Sequence, residues 1–540
     1  MRIFFLILFS LSITAAWAQP SNGGRLSGSL QTNANFFIRD TAIGAANTPQ
    51  YDRQLFGSES WLELNYSNWG FDMGLRFDLF LNSNLLNPQG SYTDQGIGRW
   101  FIKKQVEKFR IEAGYLYDQI GSGIIFRAYE QRPIAIDNAL AGISVSYELK
   151  EDWTLKAFAG RQKQQFDLYD SNIKGFNVEG FLAGGEKTPW SIAPGIGMVN
   201  KTLADETVNQ IVSAISTYTP QDSIGANYNT FAFSAYNTLT LGPITWYVEG
   251  AYKSSEVIFD PFAEKLNWTG DRSLGKLVQR PGSVLYSTLS YAANGLGITL
   301  EGKRTENFTF RTNPFVTLNQ GAINFLPPMA RENSFRLLTR YNAATQELGE
   351  QAWQLDLRYA PNRKWGVLVN LASIQQLDGT QLYQELFSEF SYRYQRKWHL
   401  LAGVQLQRYN QAIYEVKPGV PDVRTVSPYV EWTYKLDRKK SLRFELQYMH
   451  NEQDFGSWIF VLAEFGMAPN WVFSVSDMYN VVPTKTPRIH YPRLDISYTR
   501  RANRFIASYV KQVEGVVCTG GICRFEPAFS GFRLSINSTF

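Results

Sequence analysis

Long apolar runs, histidine and cysteine are what this sequence has least of. Beyond its N-terminal segment no stretch stays apolar for the 18 or more residues that a membrane-crossing helix requires, which excludes a helical membrane protein. Three histidines in 540 residues leave little room for hydrolytic chemistry. Only His399, His450 and His490 could serve as base to a serine nucleophile on a barrel wall, and none accompanies a G-x-S-x-G motif. Phosphate-cradling glycine loops and clustered metal-ligand spacings are also absent, so neither an enzyme nor a cofactor is expected. Neither charge dominates: 53 basic against 48 acidic residues give a net charge of +5, too mild to imply nucleic-acid binding.

The two cysteines stand together in Cys518-Thr519-Gly520-Gly521-Ile522-Cys523. If Gly520-Gly521 forms a two-residue hairpin turn, the cysteines face each other one pair beyond its flanks. A non-hydrogen-bonded pair has Cα atoms about 4.5 Å apart, within disulfide range. A two-cysteine zinc site would lack two further ligands nearby.

What is present begins with an export signal. Arg2 precedes an apolar run from Ile3 to Ala16, and Ala16-Trp17-Ala18 has the small residues of a cleavage site, so residues 1–18 are expected to be removed. Aromatics make up 15% of the chain, with 29 Tyr and 14 Trp, an excess that suits interfacial girdles. Strand after strand then alternates. Val430, Trp432, Tyr434 and Leu436 interleave with Glu431, Thr433 and Lys435; after a turn at 437–440, Leu442, Phe444, Leu446 and Tyr448 oppose Arg443, Glu445 and Gln447. Near the N-terminus, Phe71, Met73, Leu75, Phe77 and Leu79 oppose Asp72, Arg76 and Asp78. Short turns near 67, 151, 242, 293, 362, 396, 438, 469 and 502 alternate with longer connections at 39–57, 83–96, 200–226 and 257–282. Apolar-out, polar-in strands with turns of two alternating lengths predict an antiparallel transmembrane β-barrel: one domain over 19–540, with about 24 strands, an even number between 18 and 26. Both termini would be periplasmic, the long loops external, and the location the outer membrane of a Gram-negative cell.

The chain ends Phe532, Leu534, Ile536, Ser538, Phe540, with Arg533, Ser535, Asn537 and Thr539 on the other face. An aromatic residue closing such a strand resembles the signal read by the barrel assembly machinery, which is therefore an expected partner besides lipid. The segment from Ala113 to Glu130 with Ile136 to Leu140, together with 156–162, 320–327 and 527–532, resembles the Bacteroidota outer-membrane proteins grouped as DUF6029. That resemblance implies a barrel and carries no activity.

The segment from Asp118 to Asn138 is the strongest functional candidate. Glycines at 121 and 123, apolar Ile124, Ile125 and Phe126, and the charges Arg127, Glu130, Arg132 and Asp137 suggest a loop that folds into the lumen. There the charged residues would line a constriction or form an ion-paired plug. Asp137-Asn138 and Asp167 to Asp170 offer oxygens to calcium, though short Asx-rich turns are commonly only turns. Inward positions of both signs, among them Glu63, Arg76, Glu389, Arg393, Lys435 and Arg443, suit small hydrophilic solutes without a strong ionic preference. Two functions follow: a porin-like channel or solute-binding barrel, or a subunit of a secretion or barrel-assembly complex. The second would dock through apolar residues of 312–330, including Phe315, Val316, Ile323, Phe325 and Leu326, unless they fold back into the lumen.

Overall fold

The computed structural model describes residues 24–185, 189–316, 320–484, 487–519 and 522–540, without side chains over 517–523. The expected signal and its cleavage site lie outside these residues. Alternation decides the architecture: 24 antiparallel strands form one closed barrel. Its first strand, Arg25–Phe37, pairs with its last, Phe529–Thr539, from Ser29 opposite Thr539 to Phe37 opposite Gly531. Closure satisfies backbone groups that lipid would leave without partners.

One end carries mostly tight turns. Trp69-Gly70 and Asn294-Gly295 both have positive φ at their two central residues, the type I′ geometry that matches strand twist. The other end carries the longer connections, among them 38–55, 84–91, 117–139, 203–228, 307–348 and 410–422, with shorter turns at 165–166, 267–271, 376–380 and 452–456. The two faces of each strand differ as the alternation predicts. Along Lys440–Asn451, Phe444, Leu446 and Tyr448 are exposed on the outside. Glu445, Gln447, Met449 and Asn451 are buried on the inside, while Arg443 is only half-buried. An outward belt that includes Phe77, Trp100, Trp246, Trp353 and Trp432 exposes apolar area that only lipid would cover favourably.

Two connections differ from expectation. Residues 257–282 are not a loop: Ile244–Leu266 and Arg272–Ala293 run on as 23- and 22-residue strands joined by a short turn. Pro261, Pro281 and bulges at 253/256 and 260/264 interrupt the alternation and hide the continuing pairing from a pattern reading. Residues 200–226 contain an α-helix, Asp205–Ile215, whose Val208 and Ile211 pack on Val257 and Leu277 of that extended hairpin. The turn around Gly520-Gly521 lies outside the described residues. The flanking backbone pairs Cys518 with Cys523, and their side chains are likewise outside the description.

Candidate functional site: the loops that fill the bore

The connection 117–139 folds inward because it has more apolar surface than a solvated loop can expose. Ile120, Ile124, Ile125 and Phe126 are buried, with the Phe126 ring 4.4 Å from that of Phe158 on the wall. Its tip is fastened by one carboxylate. Glu249 of strand Ile244–Leu266 accepts from Ser122 N (2.9 Å), Ser122 Oγ (2.6 Å), Ser234 Oγ (2.6 Å) and Tyr247 OH (2.6 Å). Gly121 sits at φ +55°, and a Cβ there would lie 2.8 Å from Glu249, so this approach requires glycine.

The charged half of the loop closes on Arg76, a wall residue that is 1% exposed. Arg76 donates to both oxygens of Asp78 (2.7 and 2.8 Å), to Glu130 Oε1 (2.8 Å) and to Asp137 Oδ2 (2.8 Å). Asp137 also accepts from Lys163 Nζ at 2.5 Å and from Tyr117 OH at 2.7 Å. Arg132 donates to Glu130 and to Gln31 of the first strand, both at 2.8 Å, and stacks over Trp61. Arg76, Arg132 and Lys163 thus balance Asp78, Glu130 and Asp137. Burial opposes the Asp137 carboxylate, but Lys163 and Arg76 more than offset it and hold its pKa below the usual carboxylate value. Arg127 stands apart from this network. Its guanidinium lies 4.5 Å from the Tyr129 ring and 4.1 Å from the Phe325 ring. A pocket of about 80 Å³ opens beside the network, with Trp61, Phe80, Arg132, Lys163 and Phe166 in its lining. At the segments considered for calcium, Asp137 is held by Arg76 and Lys163, Asp170 by Arg161 at 2.5 Å, and Asp167 accepts from the Leu168 amide.

The connection 307–348 lies across the bore as well. The two loops pair main chain to main chain, Arg127 N to Ile323 O and Phe325 N to Gly123 O, each at 2.9 Å. Further along, Leu337 N donates to Gln447 Oε1 at 2.7 Å and Gln407 Nε2 to Tyr341 O at 2.5 Å, contacts on the opposite wall. Ile323, Leu326, Met329, Leu337 and Leu338 are buried, and Phe315 is exposed. Of the apolar residues considered for docking, Ile323 and Leu326 are buried and Phe325 packs on Arg127 of the first loop, while Phe315 stays exposed.

The model of a family described only as of unknown function, DUF6029, matches residues 1–540. The chain belongs to DUF6029. Comparison with the curated proteins finds no match. Among solved structures the chain is similar to the P pilus usher (PapC) translocation pore, at 10% identity, 95% of this chain, 99% of that one and a TM-score of 0.44. It is similar to the ferric-catecholate import receptor Fiu from E. coli, at 11% identity, 97% and 82% coverage and a TM-score of 0.36. A BenF-like porin from Pseudomonas fluorescens is similar at 10% identity, 82% and 98% coverage and a TM-score of 0.34.

The DUF6029 barrel also uses residues that a reading by strand face does not single out. Lys201, Lys253 and Lys303 point inward and donate to the loop carbonyls of Arg311 (2.8 Å), Thr309 (2.5 Å) and Pro327. Each is paired with a buried carboxylate, Lys201 and Lys253 sharing Glu256 and Lys303 having Glu350. Burying three ammonium groups is costly unless they are paired and hydrogen-bonded, and here each joins wall to loop. The only sequence signal was a lysine on the lumen face, which many solvated lumen positions share. Of the histidines of this DUF6029 chain, His399 is half-buried on the inner wall. His450 lies 3.6 Å from Glu452, and His490 Nδ1 lies 2.5 Å from Asp477 at the rim.

Proposed function

We propose that this protein is a non-enzymatic outer-membrane channel that binds and passes small hydrophilic solutes, with its bore narrowed at rest by the two inward loops. In this reading the tight turns and both termini are periplasmic and the long connections external. The Bacteroidota are its source, and Cys518 and Cys523 form a disulfide across their hairpin. The observation that carries the proposal is that both loops cross the lumen, tied to walls on opposite sides, in the half of the barrel nearest the long connections. Towards the tight turns, half-buried Arg443 with Glu431 and Glu464 leaves a polar vestibule. Arg127, Glu130, Arg132 and Asp137 belong to the narrowing, the last three as an ion-paired lock. The alternative, a subunit of a secretion or assembly complex, keeps exposed Phe315 but not the buried Ile323 and Leu326.

Single-channel conductance in a planar bilayer tests this. Wild type is expected to conduct little, and deletion of residues 121–132 to raise the conductance several-fold. Glu249→Ala, which frees the loop tip without shortening the chain, is expected to give frequent brief openings. Silence from all three would rule out a channel, and a large wild-type conductance unchanged by the deletion would rule out the loop as its restriction.

A further inference from the structure

The ion pairing that neutralises the loop around Arg76 does not extend round the lumen. On the wall formed by His490–Arg500, Asn503–Gln512 and Phe529–Thr539, the inward positions include Arg493 and Arg533, separated by small Ser508, which pairs in register with Arg533. Connection 307–348 brings Arg336 and Arg340 towards this wall. Arg340 lies 4.9 Å from the Trp458 ring, which packs 5.8 Å from Tyr491, two residues before Arg493 on the same face. Arg533 lies 4.0 Å from the Phe529 ring.

The carboxylates here are Asp495, Glu526, Glu59, which accepts from Ser83 Oγ and faces Arg533, and Asp454, which accepts from Tyr341 OH. Asp495 is taken up by Arg493, at 2.8 Å, and by Ser508 Oγ, at 2.6 Å. Glu526 accepts from Gln512 at 3.0 Å, with Arg524 3.8 Å away. Among the described residues Arg336, Arg340 and Arg533 form no ion pair with a carboxylate, and Arg340 Nε is buried without a hydrogen-bond partner. Burial and the charges of Arg340, Arg493 and Arg533 bring the Arg336 guanidinium down to about 10 against the pull of Glu526. Arg493 keeps Asp495 as its counter-charge and is half exposed, whereas Arg336, Arg340 and Arg533 are, among the described residues, paired with no carboxylate; guanidinium groups so placed favour an anion, and their planar forks match the oxygens of carboxylate or phosphate.

We infer that Arg336, Arg340, Arg493 and Arg533 form an oxyanion-binding site in the bore, taking a carboxylate- or phosphate-bearing solute and making the channel anion-selective. The inference deepens the channel reading and rests on it for the selectivity, while binding can be read separately. The site is bipartite, two arginines from the wall and two from the loop, so either side can be altered alone.

Calorimetric titration of the detergent-solubilised full-length protein with inorganic phosphate, and separately with citrate, reads binding. The wild type is expected to bind at least one of them, and Arg336→Gln and Arg533→Gln each to weaken that binding at least tenfold. Arg358→Gln, on a strand elsewhere in the barrel, is expected to leave it unchanged. Preference for one anion over the other identifies the solute class. Absence of binding for both in the wild type, or equal binding in all variants, would overturn the site. Reversal potentials across a potassium chloride gradient, measured on the 121–132 deletion so that current is available, read selectivity. The deletion is expected to favour chloride, and Arg336→Glu combined with Arg533→Glu in it to favour potassium. Phosphate binding in a protein that never conducts would leave the site standing and refute the channel.

Discussion

Arg76 sits at 1% exposure among three carboxylates, and each contact is charge-assisted. Removing one member of a buried ion cluster leaves uncompensated charge, at a cost of about 3–5 kcal/mol. Arg76→Ala is expected to lower the denaturant midpoint of the refolded barrel accordingly, with Arg76→Lys intermediate because it cannot hold Asp78 with two donors. An unchanged midpoint in both would mean that the cluster is not structural. Asp137 makes the lock sensitive to acid in one direction only. Its folded pKa lies below the unfolded value of about 3.9, so its contribution is complete above that value and is lost as pH falls through the folded one. The groups facing it are Arg76, Lys163, Tyr117, Asp78 and Glu130. Conductance is expected to be higher below about pH 4 than at pH 7. Asp137→Asn should show the higher, acid-like level already at pH 7.

At the scale of elements, what was legible depended on whether the local pattern and the final environment agreed. The hairpin of Val423–Lys435 and Lys440–Asn451 was readable because every second side chain meets lipid and the turn between them is short and polar. The loop 117–139 was readable as inward-folding because Ile124, Ile125 and Phe126 have no place in solvent. The membership of its lock was only partly readable. Glu130, Arg132 and Asp137 share one network, whereas Arg127 is drawn away by Phe325, nearly 200 positions distant in sequence. The extended hairpin 244–293 was missed because its prolines and bulges break the period of two where pairing continues. Helix Asp205–Ile215 was missed because the hairpin it packs on was itself read as a loop.

The seam that closes the whole molecule ends on one further contact beyond its strand register. Phe540 exchanges two backbone hydrogen bonds with Gly28, at 2.9 and 3.0 Å, and its ring covers that glycine so closely that a Cβ would lie 2.6 Å from it. Phe532 and Leu534 face outward on the same strand. The C-terminal residues read as an assembly signal therefore also close the barrel. Gly28→Val is expected to displace the ring and reduce the yield of folded barrel in refolding into lipid vesicles, while Gly302→Ala, where a Cβ meets open space, should refold as wild type. Equal yields would mean that the seam tolerates the loss.

The barrel, its approximate strand number and the side of the clearly alternating strands that meets lipid were determined by the sequence itself, because alternation at a period of two and the lengths of the turns are local properties. The tertiary structure alone decided what fills the bore. Which lysines clasp the loop at 309, 311 and 327, which arginines lack counter-charges, and whether 312–330 faces a partner or the lumen all depend on groups from distant strands meeting across the barrel. Those meetings exist only once the sheet has closed.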